Sequence, residues 1–522
     1  MKKDLAVILM TAAGLLSIVP ADAQFRRKSA EEEVEPMTEA QLILQEAESS
    51  ERPVVITLEQ ALEIALSESV SVKVADMEIE RTGYAKKGSY AALFPQIDIS
   101  GAYQRTIKKQ VMYMDFDMSS LGGMGGGTGT EGEGGEGTTL PDGTVIPDGV
   151  EIPEDIEIPE VDTETSDNGG GLEVGRWNTW SAGVSAAMPL VNAQLWKSLK
   201  ISGMDVELAV EKARNSRLET VTQVKNAYFA ILFAKEAFEV YKDVYENAVD
   251  NLNETQKKFD AQKASEFDLV RAKTTVEQAV PNVYNAESSI ILALWQLKAV
   301  LGVDLDMNID VAGNLADYSQ HMYYDIHQHD EIYLDRNSTM KQLAIQAEML
   351  AETVKLQQYA NIPSLAVAFN FSINAMTNDF KFSEYRWTPY SYVGLSLSIP
   401  VFSGGKRYQA IRQAKNQYQQ VQLQTMNTER QLKIAIRQNL NTMEMNMKSY
   451  YAAQNAVGSA QKAYDIAQAS YEAGMSTLIE LNDAQLALTQ SRLAESQAIY
   501  NFVVAKAQLE QTLGQDFIAG QY

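Results

Sequence analysis

The chain has 522 residues, a net charge of −25 and no cysteine. The charge argues against a nucleic-acid partner, because phosphate binding needs clustered Lys and Arg. The missing thiols exclude disulfides, thiolate metal sites, thiol nucleophiles and a lipid-modified N-terminal cysteine.

Residues 1–23 read as a signal peptide. Lys2 and Lys3 precede an apolar run over 5–19, and Ala21-Asp22-Ala23 has the small-x-small form of a cleavage site. No later stretch reaches the roughly 18 apolar residues of a membrane helix. Any span in the mature chain would therefore be built from strands.

Residues 24–56 form an acidic segment, expected at the surface with one short helix near 38–48. Thr57 opens and caps a helix whose apolar face includes Leu58, Leu62, Ile64 and Leu66. The pattern predicts one helix to about residue 92, ended by Pro95. The period then becomes two: Ile97, Ile99, Gly101 and Tyr103 alternate with polar residues, giving a strand over 96–105. Residues 107–175 are Gly-rich and acidic, with no Lys, Arg or His from 110 to 175. This composition reads as a loosely ordered loop. It lacks EF-hand spacing, so no calcium site is assigned.

A second strand covers about 177–190. Residues 192–302 read as a long helical hairpin turning at Gln262-Lys263. Val221, Val224, Tyr228, Ile231, Phe238, Tyr245 and Leu252 mark a coiled-coil seam. The first helix would span roughly 105 Å, more than a globular core needs. The second carries Pro281, where a kink is expected. A connector over 303–330 follows, and then the plan repeats over 331–514. This second repeat has a helix at 332–360, strands at about 364–374 and 388–401, and a helical hairpin at 404–514. Residues 515–522 are a short tail.

The two hairpin turns align at an offset of 212 residues: Phe259 with Tyr471, Ser265 with Thr477, Asp268 with Glu480 and Ala272 with Ala484. The chain is thus a duplicated helix–strand–strand–helix–helix unit, 57–302 and 331–514. Its four strands alternate apolar and polar, as a membrane β-barrel wall would. Trp177, Trp180, Tyr385, Trp387 and Tyr390 lie at strand ends, where an aromatic girdle is expected. Four strands cannot close a barrel, and eight leave no lumen. Three copies giving twelve strands is the first multiple to hold water. The competing reading is two small hairpins packed on helices in a soluble protein.

The ordered set Thr57-Leu-Glu-Gln-Ala-Leu62, Pro95 and Pro363 before strands, Ile399-Pro-Val-Phe-Ser-Gly-Gly405, Tyr471-x-x-Gly474 to Ala484-Gln485, and Leu513-Gly514 resembles the TolC-like outer-membrane efflux proteins. The resemblance covers nearly all of the mature length. It implies a mainly α fold with a membrane β-barrel: a homotrimer whose twelve-stranded barrel continues as a periplasmic helical tunnel. It also implies outer-membrane lipid around the barrel and docking to a periplasmic adaptor protein and an inner-membrane pump. The acidic loop, inserted in the first repeat alone, would fall outside the cell.

By the same resemblance, Glu480 and Asp483 fall where a ring of carboxylates narrows the periplasmic gate. They are three apart and share a helix face, so six would surround one axis and attract cations. Thr477-x-x-Glu480 is also a capping box, as is Ser265-x-x-Asp268, so capping alone could explain Glu480. Asp268 and Tyr471 match latch positions of the family. Ser476 replaces an Arg often found there, and Arg271 could substitute by pairing with an acid of the other half. The tips Lys263, Ala264, Ser265, Gly474, Met475, Ser476 and Thr477 are the expected adaptor contacts. His321, His327 and His329 lie near acids without recognised ligand spacing, so no metal or cofactor is assigned. No phosphate loop or catalytic constellation supports an enzyme. The expected function is a passive outer-membrane export duct; an exported trimeric coiled-coil surface protein is the alternative.

Overall fold

The computed structural model describes residues 39–49, 52–112, 172–322 and 334–516. The signal segment, most of the acidic loop, His327 and His329 lie outside the described residues. The chain divides into a helical unit of 1–92, 192–363 and 399–522 and a sheet unit of 93–191 and 364–398.

In the helical unit, α1 (Glu39–Ser49) packs on α2 (Leu58–Glu68), and α3 (Val70–Ala91) follows at once. The long hairpins are α4 (Ala193–Asp260) with α5 (Glu266–Leu301), and α7 (Lys406–Glu472) with α8 (Leu478–Leu513). A shorter helix, α6 (Ser338–Tyr359), precedes the second pair of strands. The duplication is exact in length for α3 and α6, both 22 residues, and for α5 and α8, both 36. Thr57 and Gln60 close a capping box at α2, and Asn192 and Asn337 cap α4 and α6. Helix α5 runs through Pro281 without interruption.

The predicted helix over 57–92 is in fact two. Ser69 leaves helical geometry with ψ 128°. The cause is tertiary: Gly302, the left-handed cap of α5 at φ +78°, sits so close that a Cβ there would lie 2.7 Å from the Glu68 carbonyl oxygen. The second repeat copies this contact, with Gly514 of α8 at φ +71° against the backbone of Arg336 and Asn337 at the start of α6. Only glycine reaches that backbone in that conformation.

The N-terminal segment is also less superficial than its acidity suggests. Ala40 and Ala47 are buried. Strand β1 (Val54–Ile56) pairs in parallel with β6 (Ile309–Val311), inside what the sequence marks as segment and connector. This small sheet sits in the main core with Tyr228, Ile231, Leu301, Ile436, Phe502 and Leu509. The Tyr228 hydroxyl donates to the Ala312 carbonyl at 2.6 Å.

The sheet unit holds β2 (Gln96–Arg105), β5 (Asn178–Val191), β7 (Ser364–Thr377) and β8 (Thr388–Ser398), all antiparallel in that order. A short ribbon of β3 (Gln110–Met112) and β4 (Leu172–Val174) stands apart as a second sheet. The two predicted strand pairs are therefore one sheet, joined through β5 and β7. The helices that feed the strands pack in the same order: α3 on α4, α4 on α6 and α6 on α7. Register puts Ile97, Ala186, Phe369 and Val393 in one apolar row. Asp98, Ser185, Asn370 and Tyr392 form a polar row on the opposite face. At one end, Tyr103 meets Trp180 at 4.3 Å, Trp180 meets Phe382 at 4.8 Å, and Phe382 meets Tyr385 at 4.9 Å. Tyr390 departs from this girdle: it shares the polar face with Tyr392. No strand among the described residues covers the outer edges of β2 and β8.

Candidate functional site

The site is the pair of hairpin turns. Each helix ends on a left-handed residue, Gly474 at φ +73° after α7 and Gln262 at φ +56° after α4. These are equivalent positions of the two repeats. Among the described residues Gln262 is the only non-glycine with positive φ. Each following helix opens on a capping box. The Ser265 backbone N–H donates to the Asp268 carboxylate at 3.2 Å, and the Ser265 hydroxyl donates to it at 2.6 Å. The Thr477 N–H donates to the Glu480 carboxylate at 2.9 Å.

The tips pack on each other through Ala272, Tyr464, Tyr471, Leu478, Leu481 and Leu488, with Leu252 partly buried beside them. Tyr471 is the centre. Its hydroxyl shares a 2.6 Å hydrogen bond with the buried Thr255 hydroxyl of α4. The Lys258 ammonium lies 3.9 Å from the centre of its ring and donates to its backbone carbonyl. Tyr471, an expected latch residue, is thus held within the chain by Thr255 and Lys258. Sequence reading missed both. The available signal was a polar residue three positions after Leu252 on the apolar seam.

Arg271 is half-buried in a cleft of about 510 Å³, with Tyr241, Thr275, Asn482 and Gln485 in its walls. It makes no salt bridge to an acid among the described residues of this chain. Asn482 bridges the cleft to Thr275 at 3.4 Å. Asp483 is exposed and its carboxylate makes no hydrogen bond among the described residues, whereas Glu480 is exposed but occupied as a cap. Lys263, Ser265, Gly474, Met475 and Thr477 are exposed; Ala264 and Ser476 are half-buried. No acidic or His cluster among the described residues could hold a metal. No described helix is long and apolar enough to cross a membrane.

Residues 152–303 and 331–515 match the sequence profile of the family described as outer membrane efflux protein. The chain belongs to that family. It is 20% identical over 342 residues to outer membrane protein TolC of Vibrio cholerae, covering 64% of this chain and 76% of the relative. It is 20% identical over 355 residues to outer membrane protein TolC of Escherichia coli, covering 66% and 71%. The fold matches the CmeC outer membrane channel of Campylobacter jejuni with a TM-score of 0.63 at 16% identity, over 89% and 87% of the two chains. This outer membrane efflux protein is an outer-membrane channel reaching into the periplasm. Its family members are channels that serve tripartite efflux and secretion systems.

Proposed function

We propose that three copies of this chain close one twelve-stranded barrel, through which substrates delivered by a partner pump pass without further energy input. The open four-stranded sheet carries this reading. It has an apolar face, a polar face and two uncovered edges, and an uncovered edge is stable when another strand pairs with it. Pairing β8 of one copy with β2 of the next removes every edge and leaves the polar rows around the lumen. The lipid of the outer membrane then meets the apolar face. The energy source is an inner-membrane pump, linked by a periplasmic adaptor that contacts Lys263–Ser265 and Gly474–Thr477.

The tips form the gate in this reading. Asp483 carries the cation-attracting charge, with Glu480 shared between charge and helix capping. Asp268, Arg271 and Tyr471 tie neighbouring hairpins together, and Arg271 pairs with an acid of another copy. The decisive experiment is conductance of the purified chain in planar bilayers, with its mass in detergent. Steps of uniform conductance from a trimer are expected. A trimer that never conducts would favour the coiled-coil surface protein.

A further inference from the structure

Acidic residues outnumber basic ones by 69 to 44, but one part of the helical unit inverts that balance. The chain joins the four strands of the large sheet to four helix ends: the last turns of α3 and α6 and the first turns of α4 and α7. At most seven residues separate each from its strand. Residues 82–92, 193–204, 353–360 and 406–417 contain nine Lys or Arg and no Asp or Glu. Helix α7 then continues without an acid to Glu429.

These ends lie side by side. The Ser89 hydroxyl of α3 donates to Ser202 of α4 at 3.3 Å. Glu352 of α6 accepts from Lys197 and Lys200 of α4 at 2.7 and 3.0 Å, and from Lys355 at 3.0 Å. Helix α6 packs along α7. Glu352, Asp205 and Glu80 border these stretches, and Glu348 lies 3.8 Å from Lys200. Lys87 on α3 is exposed, 5.4 Å from the ring of Tyr84. On α7, Lys406, Arg412 and Lys415 are exposed, and Arg412 lies 5.8 Å from the ring of Tyr408. None of these four makes a salt bridge among the described residues. Large apolar side chains are exposed among them, Trp196 at 61% and Phe402 at 88%.

We propose that this collar binds anionic phospholipid headgroups in the periplasm-facing leaflet of the outer membrane. The inference rests on the membrane-channel reading above, since the strands set the level of the bilayer. Chain connection leaves the nine basic groups six to seventeen residues from a strand end. There Lys and Arg meet headgroup phosphates, while Trp, Tyr and Phe favour the water–lipid boundary. A solvated tunnel wall in so acidic a protein has no need of an acid-free basic band.

The test uses the full chain in phosphatidylcholine vesicles with a graded fraction of phosphatidylglycerol. Each lipid is brominated in turn, and quenching of tryptophan fluorescence gives their relative binding. The expected preference for phosphatidylglycerol is about fivefold or more at low salt. It falls toward one in about 1 M salt, where the Debye length is about 3 Å. Replacing the four exposed groups together, Lys87→Gln, Lys406→Gln, Arg412→Gln and Lys415→Gln, removes the preference. The charge-keeping set Lys87→Arg, Lys406→Arg, Arg412→Lys and Lys415→Arg restores it. Equal binding of the two lipids by the unaltered chain overturns the proposal, as does a preference that survives neutralisation. If the neutralised chain does not insert, the salt titration of the unaltered chain decides. Conductance in pure phosphatidylcholine is recorded alongside. A conducting chain without lipid preference overturns the collar alone, whereas loss of the channel reading would show as no conductance.

Discussion

Thr255 and Tyr471, 216 residues apart in sequence, share a buried 2.6 Å hydrogen bond between the two hairpins of one chain. The Thr255 hydroxyl also donates to the Asn251 carbonyl of its own helix at 2.7 Å, so the Tyr471 hydroxyl depends on Thr255 more than the reverse. Thr255→Val strands a buried phenol and is expected to cost about 1–3 kcal/mol; Tyr471→Phe leaves Thr255 satisfied and is expected to cost about 1 kcal/mol. Hydrogen exchange at the tips, compared with the core around Tyr228, reads the difference. Faster exchange in Tyr471→Phe than in Thr255→Val would contradict this asymmetry.

The two carboxylates proposed for the gate, Glu480 and Asp483, separate by substitution. Asp483→Asn is expected to weaken cation selectivity and block by multivalent cations while leaving the tip fold intact, because the Asp483 carboxylate makes no hydrogen bond among the described residues. Thr477→Ala removes the cap and is expected to cost about 1 kcal/mol without changing selectivity. The double change Glu480→Ala with Asp483→Ala should lower selectivity furthest. Reversal potentials across a salt gradient give the order, and an unaltered reversal potential in the double variant would remove both residues from the gate.

Arg271 lies in a polar cleft and pairs with no acid of its own chain among the described residues. Arg271→Glu is therefore expected to change single-channel conductance through contacts between copies, with little effect on protomer stability. Unchanged conductance would end its assignment to the latch.

Glu352 tests the α4–α6 contact. Hydrogen bonds from Lys197 first, then Lys355 and Lys200, hold its carboxyl down to about 2 against an ordinary value of 4.5, with burial opposing them. Because the folded value is depressed, this stabilisation is complete above the ordinary value and is lost as pH falls through about 2. Glu352→Gln is expected to destabilise α6 on the order of 2 kcal/mol at neutral pH, allowing for the half-exposed Lys200 and Lys355. Exchange rates of α6 should differ between the two proteins by a constant factor from neutral pH to about pH 5 and converge below it. A difference that stays constant down to pH 2 would contradict the ion cluster.

The twin glycine caps are expected to fail alike. Gly302→Ala and Gly514→Ala each add a Cβ against backbone at a positive φ. Each should destabilise by about 1–3 kcal/mol, more than a glycine cap in open space. Gly474→Ala supplies that control, since nothing lies within 4 Å of its added Cβ. Equal thermal shifts for the three variants would show that conformation, rather than the close approach, dominates.

The long helices, the strands and the duplication are legible in the chain because period and proline breaks are local signals. Their ends fall within a few residues of expectation at Gln96–Arg105, Ala193–Asp260 and Leu478–Leu513. The capping boxes at Ser265 and Thr477 are equally local, and their hydrogen bonds form as spaced. The break at Ser69 is not legible, since no Pro or Gly marks it; it follows from the approach of Gly302. Pairing of Val54–Ile56 with Ile309–Val311 joins segments about 250 residues apart, and three-residue strands leave no period to read.

The turn at Tyr471 divides in the same way. Sequence alone determined its position, its capping acids and its twin in the first repeat, because each depends on residues within one turn of helix. Tertiary structure decided what holds it: Thr255 and Lys258 reach Tyr471 only because two hairpins pack side by side. A hydrogen bond between such distant residues follows from the path of the whole chain, and no local pattern encodes that path.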